Sequence, residues 1–142
     1  MPTRALIVTL GAVLSAASAQ PGAAQDGGPT VTPLFSTGTS IAGEALHYPT
    51  GAPAQVTAEI VTLTPGARTV VHRHGVPMFA YILDGEITVD YGDRGKRTYR
   101  KGDAFMEAMA VAHFGADAGS GPVRILVVYI GAQGLKDTIP VQ

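Results

Sequence analysis

Cysteine is absent from the 142 residues, so neither a disulfide nor a thiolate metal site can form, whatever the compartment. Tryptophan is absent too, and aromatic residues make up only 6% of the chain, which leaves no aromatic platform for stacking sugars. Charge of one sign is also missing. Ten Lys and Arg stand against eleven Asp and Glu, a net charge of −1, which excludes the strongly basic footprint of a nucleic-acid binder. No apolar run is long enough to anchor the chain in a membrane. There is no phosphate-cradling glycine loop, no amphipathic helix of useful length and no solenoid repeat.

What is present is glycine, proline and residues that favour strands. Eighteen Gly and ten Pro punctuate runs of Val, Ile, Thr and Tyr, at a length that suits one domain. The first residues read as a secretory signal peptide over 1–19. Arg4 gives a positive start, Leu6 to Leu14 an apolar run, and Ala17-Ser18-Ala19 a small-x-small cleavage site, with Ala24 as a second choice. A flexible, Gly-, Ala- and Pro-rich leader is expected over 20–33 and a single domain over 34–142. The protein is therefore expected to be secreted or periplasmic.

Within the domain, Gln55 to Thr64 alternates Val56, Ala58 and Ile60 with Gln55, Thr57 and Glu59, the period of a strand. Strands are also predicted over Thr69 to His74, Met78 to Leu83, Glu86 to Tyr91, Lys96 to Arg100, Ala104 to Glu107, Val111 to Phe114 and Val123 to Ile130. The last of these is apolar enough to be buried on both faces. Asp84-Gly85 reads as a hairpin turn, and Gly131 to Gln142 as a tail. In the Glu86 to Tyr91 strand, Ile87, Val89 and Tyr91 share a face. Many short strands with frequent turns predict an all-β sandwich or barrel, and a jelly roll offers an interior where side chains from several strands meet.

One stretch carries chemistry. In Val70-Val71-His72-Arg73-His74, residues two apart point the same way on a strand, so His72 and His74 line one face. Two imidazoles on one strand need only another donor or two from a neighbour to hold a metal ion, and His113 is the candidate third. Gly66, His72, His74 and Gly85 at their spacing resemble the first motif of the cupins, and Gly102 with His113 resembles the second. The resemblance covers Gln55 to Ile130. It implies a cupin-type jelly-roll barrel, commonly a homodimer, with one divalent transition metal held by His72, His74 and His113. The family's usual glutamate ligand falls on Met78, so the carboxylate expected there is missing.

Three neutral imidazoles without a carboxylate suit copper, iron or zinc better than manganese or magnesium, and copper is favoured. Glu107, six residues before His113 where the resemblance predicts an apolar side chain, is the candidate acid, base or fourth ligand. The alternative for Glu107 is a solvated glutamate at a strand end. Tyr81 and Tyr129 are expected to pack in the core, with either one, Tyr81 first, a candidate donor of a hydrogen atom or electron to an oxidising metal. His47 fits no motif position, and Arg94, Lys96, Arg97, Arg100 and Lys101 form a basic hairpin that reads as a solvated edge.

The leading functional expectation is an exported copper oxidoreductase using dioxygen or peroxide on an extracellular substrate. Among small secreted cupins, the analogy is with mono-copper proteins that oxidatively cleave cellulose, so a polysaccharide substrate is expected. The alternatives are a three-histidine iron dioxygenase acting on a small carbonyl, thiol or aromatic compound, and a non-catalytic metal- or ligand-binding domain.

Overall fold

The computed structural model describes residues 28–141, so the expected signal peptide over 1–19 and the first part of the leader lie outside the described residues. The chain divides into two units, Met1–Thr32 and Pro33–Gln142, and all the regular structure described belongs to the second. In chain order the strands are β1 (Ala54–Leu63), β2 (His72–His74), β3 (Met78–Asp84), β4 (Glu86–Asp90), β5 (Lys96–Arg100), β6 (Ala104–Met106), β7 (Phe114–Asp117), β8 (Val123–Ala132) and β9 (Thr138–Pro140). A single 3₁₀ turn, Gly92–Arg94, is the only helical piece among the described residues. None of their helices is long and apolar enough to cross a membrane.

The strands form two antiparallel layers. One is a four-stranded sheet in the order β1-β8-β3-β6, the other a three-stranded sheet in the order β5-β4-β7. The second layer continues through loop backbone. Thr69 N–H donates to Gly115 O, His72 N–H to His113 O and His113 N–H back to His72 O, which brings β2 alongside, and β2 pairs with β9. Side chains from both layers fill the interior, with Val76, Ile82 and Val123 fully enclosed. Burial of each such side chain stabilises the fold by about 1.5–3 kcal/mol. The result is the all-β jelly-roll barrel that the strand pattern predicts.

Several local expectations are corrected. Asp84-Gly85 does not close a hairpin, because β3 and β4 lie in different sheets. The chain crosses between layers there with Gly85 at φ +76°, where a Cβ would come within 2.7 Å of Pro122 O and 2.8 Å of Val123 Cα. Only a glycine fits both demands. The strand placed at Val111 to Phe114 lies instead at β7. The tail contains a strand, β9. In β8 the alternation is one-sided: Val123, Ile125, Val127 and Tyr129 are buried, while Leu126, Val128 and Ile130 are half-buried on the outer face. On β1 the regular apolar positions are the exposed ones, Val56 at 64% and Ile60 at 54%, because β1 is an edge strand whose outer face meets solvent.

Candidate metal centre

His72 and His74 point into the barrel from β2, and His113 enters from the backbone paired with it. Their ring centroids stand 4.6 Å (His72–His113), 4.9 Å (His72–His74) and 5.2 Å (His74–His113) apart. One nitrogen from each falls within 4.8 Å of the others. The outer nitrogen of every ring is tied to a backbone carbonyl. Nδ1 of His72 donates to Val70 O at 2.8 Å, Nδ1 of His113 to Val111 O at 2.8 Å, and Nδ1 of His74 to Asp137 O at 3.1 Å. A carbonyl can only accept, so each Nδ1 carries the proton and each Nε2 is left with a lone pair. Nε2 of His74 and of His113 is buried with no hydrogen-bond partner among the described residues. Buried polar atoms of this kind call for a partner, and converging imidazole lone pairs fit a transition-metal ion. Burial also favours the neutral, ligating form, lowering all three histidines and taking His74 down to about 4.

The His74 anchor is the element that strand reading did not anticipate. Asp137 sits just before β9, and Gly75 N–H also donates to Asp137 O, at 3.3 Å. A Cβ on Gly75 would stand 2.3 Å from Lys136 O, so the close approach of this segment to the ligand strand requires glycine.

Glu107 lies beside the cluster at 3% exposure. Its Oε1 accepts from Tyr91 Oη at 2.8 Å and from Ala108 N–H at 2.7 Å. Its Oε2 stands 3.9 Å from His113 Nε2, too far for a hydrogen bond. Burial pushes the carboxyl up to about 7, against the pull of its two donors. The inward placement settles the choice between a buried and a solvated Glu107. Tyr91 is buried as well and was not singled out from sequence. Its signal was the shared face of Ile87, Val89 and Tyr91, since a hydroxyl at the end of an inward apolar stripe needs a partner.

The other candidates are placed as follows. Met78 lines the interior cavity beside His74. Tyr129 lines it too, with its ring 5.7 Å from that of His74 and its hydroxyl accepting from Thr138 at 3.3 Å. Tyr81 alternates with the inward Met78 and Ala80 on β3, so it lies on the outer face of the sheet, away from the cavity. His47 is exposed on a separate surface groove. In the basic hairpin, Lys96 pairs with Asp90 at 3.2 Å and Arg100 with Glu86 at 2.6 Å, across an exposed edge.

Ser40 and Glu44 form a further anchor. The Glu44 carboxylate accepts from the N–H groups of Met109 and Ala110 and from the Ser40 hydroxyl, each at 2.7 Å. Met109 O in turn accepts from His74 N–H at 3.1 Å. The segment before β1 thus fixes the loop that joins Glu107 to His113.

Comparisons with known proteins agree with this architecture. The fold resembles an oxalate decarboxylase from Lactobacillus farciminis solved as a formate complex, with a TM-score of 0.53 and 20% identity over 61% of this chain and 26% of that one. It resembles the polyketide cyclase RemF from Streptomyces resistomycificus equally, with a TM-score of 0.53 and 20% identity over 69% of this chain and 68% of that one. An oxalate decarboxylase from Bacillus subtilis, studied for its Mn(II) centres, matches with a TM-score of 0.50 and 24% identity over 61% of this chain and 24% of that one. This chain spans only about a quarter of the length of the decarboxylases. No curated protein sequence matches it. The family model for the cupin domain matches residues 59–129, half of the chain and the span that contains all three histidines, and the chain therefore belongs to the cupin family.

Proposed function

We propose that the protein is an exported, mononuclear metal oxidoreductase, with copper held by His72, His74 and His113. The observation that carries this reading is the set of three Nε2 lone pairs, each oriented by a backbone carbonyl and converging at the interior cavity. An all-nitrogen donor set favours copper over manganese, with iron and zinc next. Copper held there would supply one-electron chemistry toward dioxygen or peroxide.

The protein's own groups do the rest. The backbone carbonyls hold the imidazoles in one tautomer. Tyr91 and Ala108 fix one oxygen of Glu107, which leaves the other free to accept a proton or a hydrogen bond from a substrate in the cavity. The aliphatic walls keep water away from the reacting groups. A polysaccharide chain end is the less favoured substrate, because sugar hydroxyls would lose their hydrogen bonds against those walls.

Pairing as a homodimer belongs to the same reading. β1 is a ten-residue edge strand with exposed Val56 and Ile60 and neither lysine nor proline to blunt it. A second copy is the natural cover for such an edge.

The test is metal analysis of protein purified without chelator, followed by electron paramagnetic resonance of the copper-loaded form. About one copper per chain with several nitrogen couplings, lost in His72→Ala, is expected. Iron as the retained metal would replace the copper assignment with the dioxygenase reading.

A further inference from the structure

The interior cavity has a volume of about 210 Å³ and two chemically distinct parts. Most of its wall is aliphatic or aromatic, formed by Val61, Ile87, Val89, Phe105, Ile125 and Val127. The polar part is the histidine cluster with Glu107 beside it. Among the described residues no lysine or arginine lines the cavity.

These features set three requirements on a ligand. In the metal-free protein an anion would lose its hydration and find a carboxylate but no cationic side chain, so a bound divalent ion would be its one attraction. A sugar would leave most of its hydroxyls unpaired against the walls. Size sets the third limit: an engineered apolar cavity of about 150 Å³ takes up benzene, so this one accommodates a single ring with small substituents. Glu107 adds a positive requirement. Its Oε1 is doubly occupied, whereas Oε2 accepts no hydrogen bond among the described residues, although the residue lines the cavity and is almost wholly buried. An acceptor held in that state calls for a donor on the ligand.

We propose that the cavity takes a neutral single-ring molecule bearing a hydroxyl group, a simple phenol being the type, with the hydroxyl donating to Glu107 Oε2 beside the histidines and the ring against Val89, Ile125 and Val127. This rests on the metal-site reading in that the hydroxyl oxygen then lies next to the ligating nitrogens.

The experiment uses the zinc-loaded protein, in which no redox turnover consumes the ligand. Binding of phenol, toluene, benzoate, oxalate and cellobiose is measured by calorimetry and by ligand-observed NMR. Phenol is expected to bind about tenfold or more tightly than toluene, which has the ring without the donor. Cellobiose is expected to bind more weakly than either, and on the metal-free protein, where no ion attracts a carboxylate, so are benzoate and oxalate. Glu107→Gln turns an amide N–H₂ toward the cavity and should erase the advantage of phenol over toluene while toluene still binds. Val127→Phe fills the ring space and should abolish binding of both, with zinc retained.

Cellobiose binding as tightly as phenol would overturn the proposal, as would oxalate or benzoate doing so on the metal-free protein, or equal affinity of the wild type for phenol and toluene. Undiminished phenol binding by Val127→Phe would overturn the placement. The two readings fail separately. If the wild type retains no zinc, the metal site falls, and the same panel on metal-free protein still decides the ligand class. If zinc is retained at about one per chain and oxalate is preferred both with and without the ion, the ligand class falls and the metal site stands.

Discussion

The Tyr91 hydroxyl donates to Glu107 Oε1 across 2.8 Å, joining two side chains that are each 3% exposed. A buried tyrosine just beyond β4 and a buried glutamate just beyond β6 thereby satisfy one another, and neither could be there alone at low cost. Burial and the neighbouring carboxylate hold the Tyr91 phenol strongly in its protonated, donating form.

Tyr91→Phe removes that donor and leaves Glu107 buried with Ala108 N–H as its remaining partner. A loss of about 1–3 kcal/mol in unfolding free energy is expected, measured by urea titration of the metal-free protein. Tyr99→Phe is expected to cost less, since its hydroxyl lies 3.4 Å from that of Tyr91 and its ring is half-buried, stacked on Phe105.

Glu44 gives a pH dependence. Burial alone would raise its pKa, but the N–H groups of Met109 and Ala110, the Ser40 hydroxyl and the charge of Arg94 outweigh it, and the carboxyl lies below its ordinary 4.5. The folded state therefore binds the Glu44 proton less readily than the unfolded chain does. Its stabilisation is fully present above pH 4.5 and is lost as pH falls through the lowered folded value. In Glu44→Gln the acid limb of the stability profile should be shallower than in the wild type, read from urea midpoints at a series of pH values. An identical acid limb in both proteins would contradict this assignment.

Gly75→Ala tests the anchor of His74. The added methyl meets Lys136 O and must displace the segment that carries Asp137. Loss of an imidazole's backbone anchor typically costs about 10–100-fold in metal affinity. Competition with a chelator of known affinity should show a drop of that order, and an unchanged affinity would mean that Asp137 O does not orient His74.

Edge pairing through β1 is tested by Ile60→Lys, which puts a charge on the exposed strand. Light scattering on a sizing column should give twice the chain mass for the wild type and the chain mass for the variant. A monomeric wild type would rule out the homodimer.

The histidine trio was legible in sequence because strand periodicity is strict: His72 and His74 had to share a face, and two motif spacings pointed to His113. Glu107 was legible as a carboxylate in an apolar position. Tyr91 was harder to identify, since its partner lies sixteen residues further on and reaches it only through the facing sheets. Asp84-Gly85 misled because the same dipeptide serves a hairpin turn and a crossing between layers. What separates the two is the backbone of Pro122 and Val123, which no local pattern around Gly85 contains. On β1 the alternation was correct in period but silent about which face meets solvent, because that depends on the strand's place at the sheet edge.

The distance in sequence between His74 and Asp137, 63 residues, also sets an order of events. A chain made from its N-terminus presents its ligand histidines well before the carbonyl that holds one of them in position. The centre therefore cannot be complete until the C-terminal segment carrying Asp137 is in place. Metal capture should follow folding and report on it, so an incompletely folded chain would compete poorly for a metal ion, which would act as a late check on assembly.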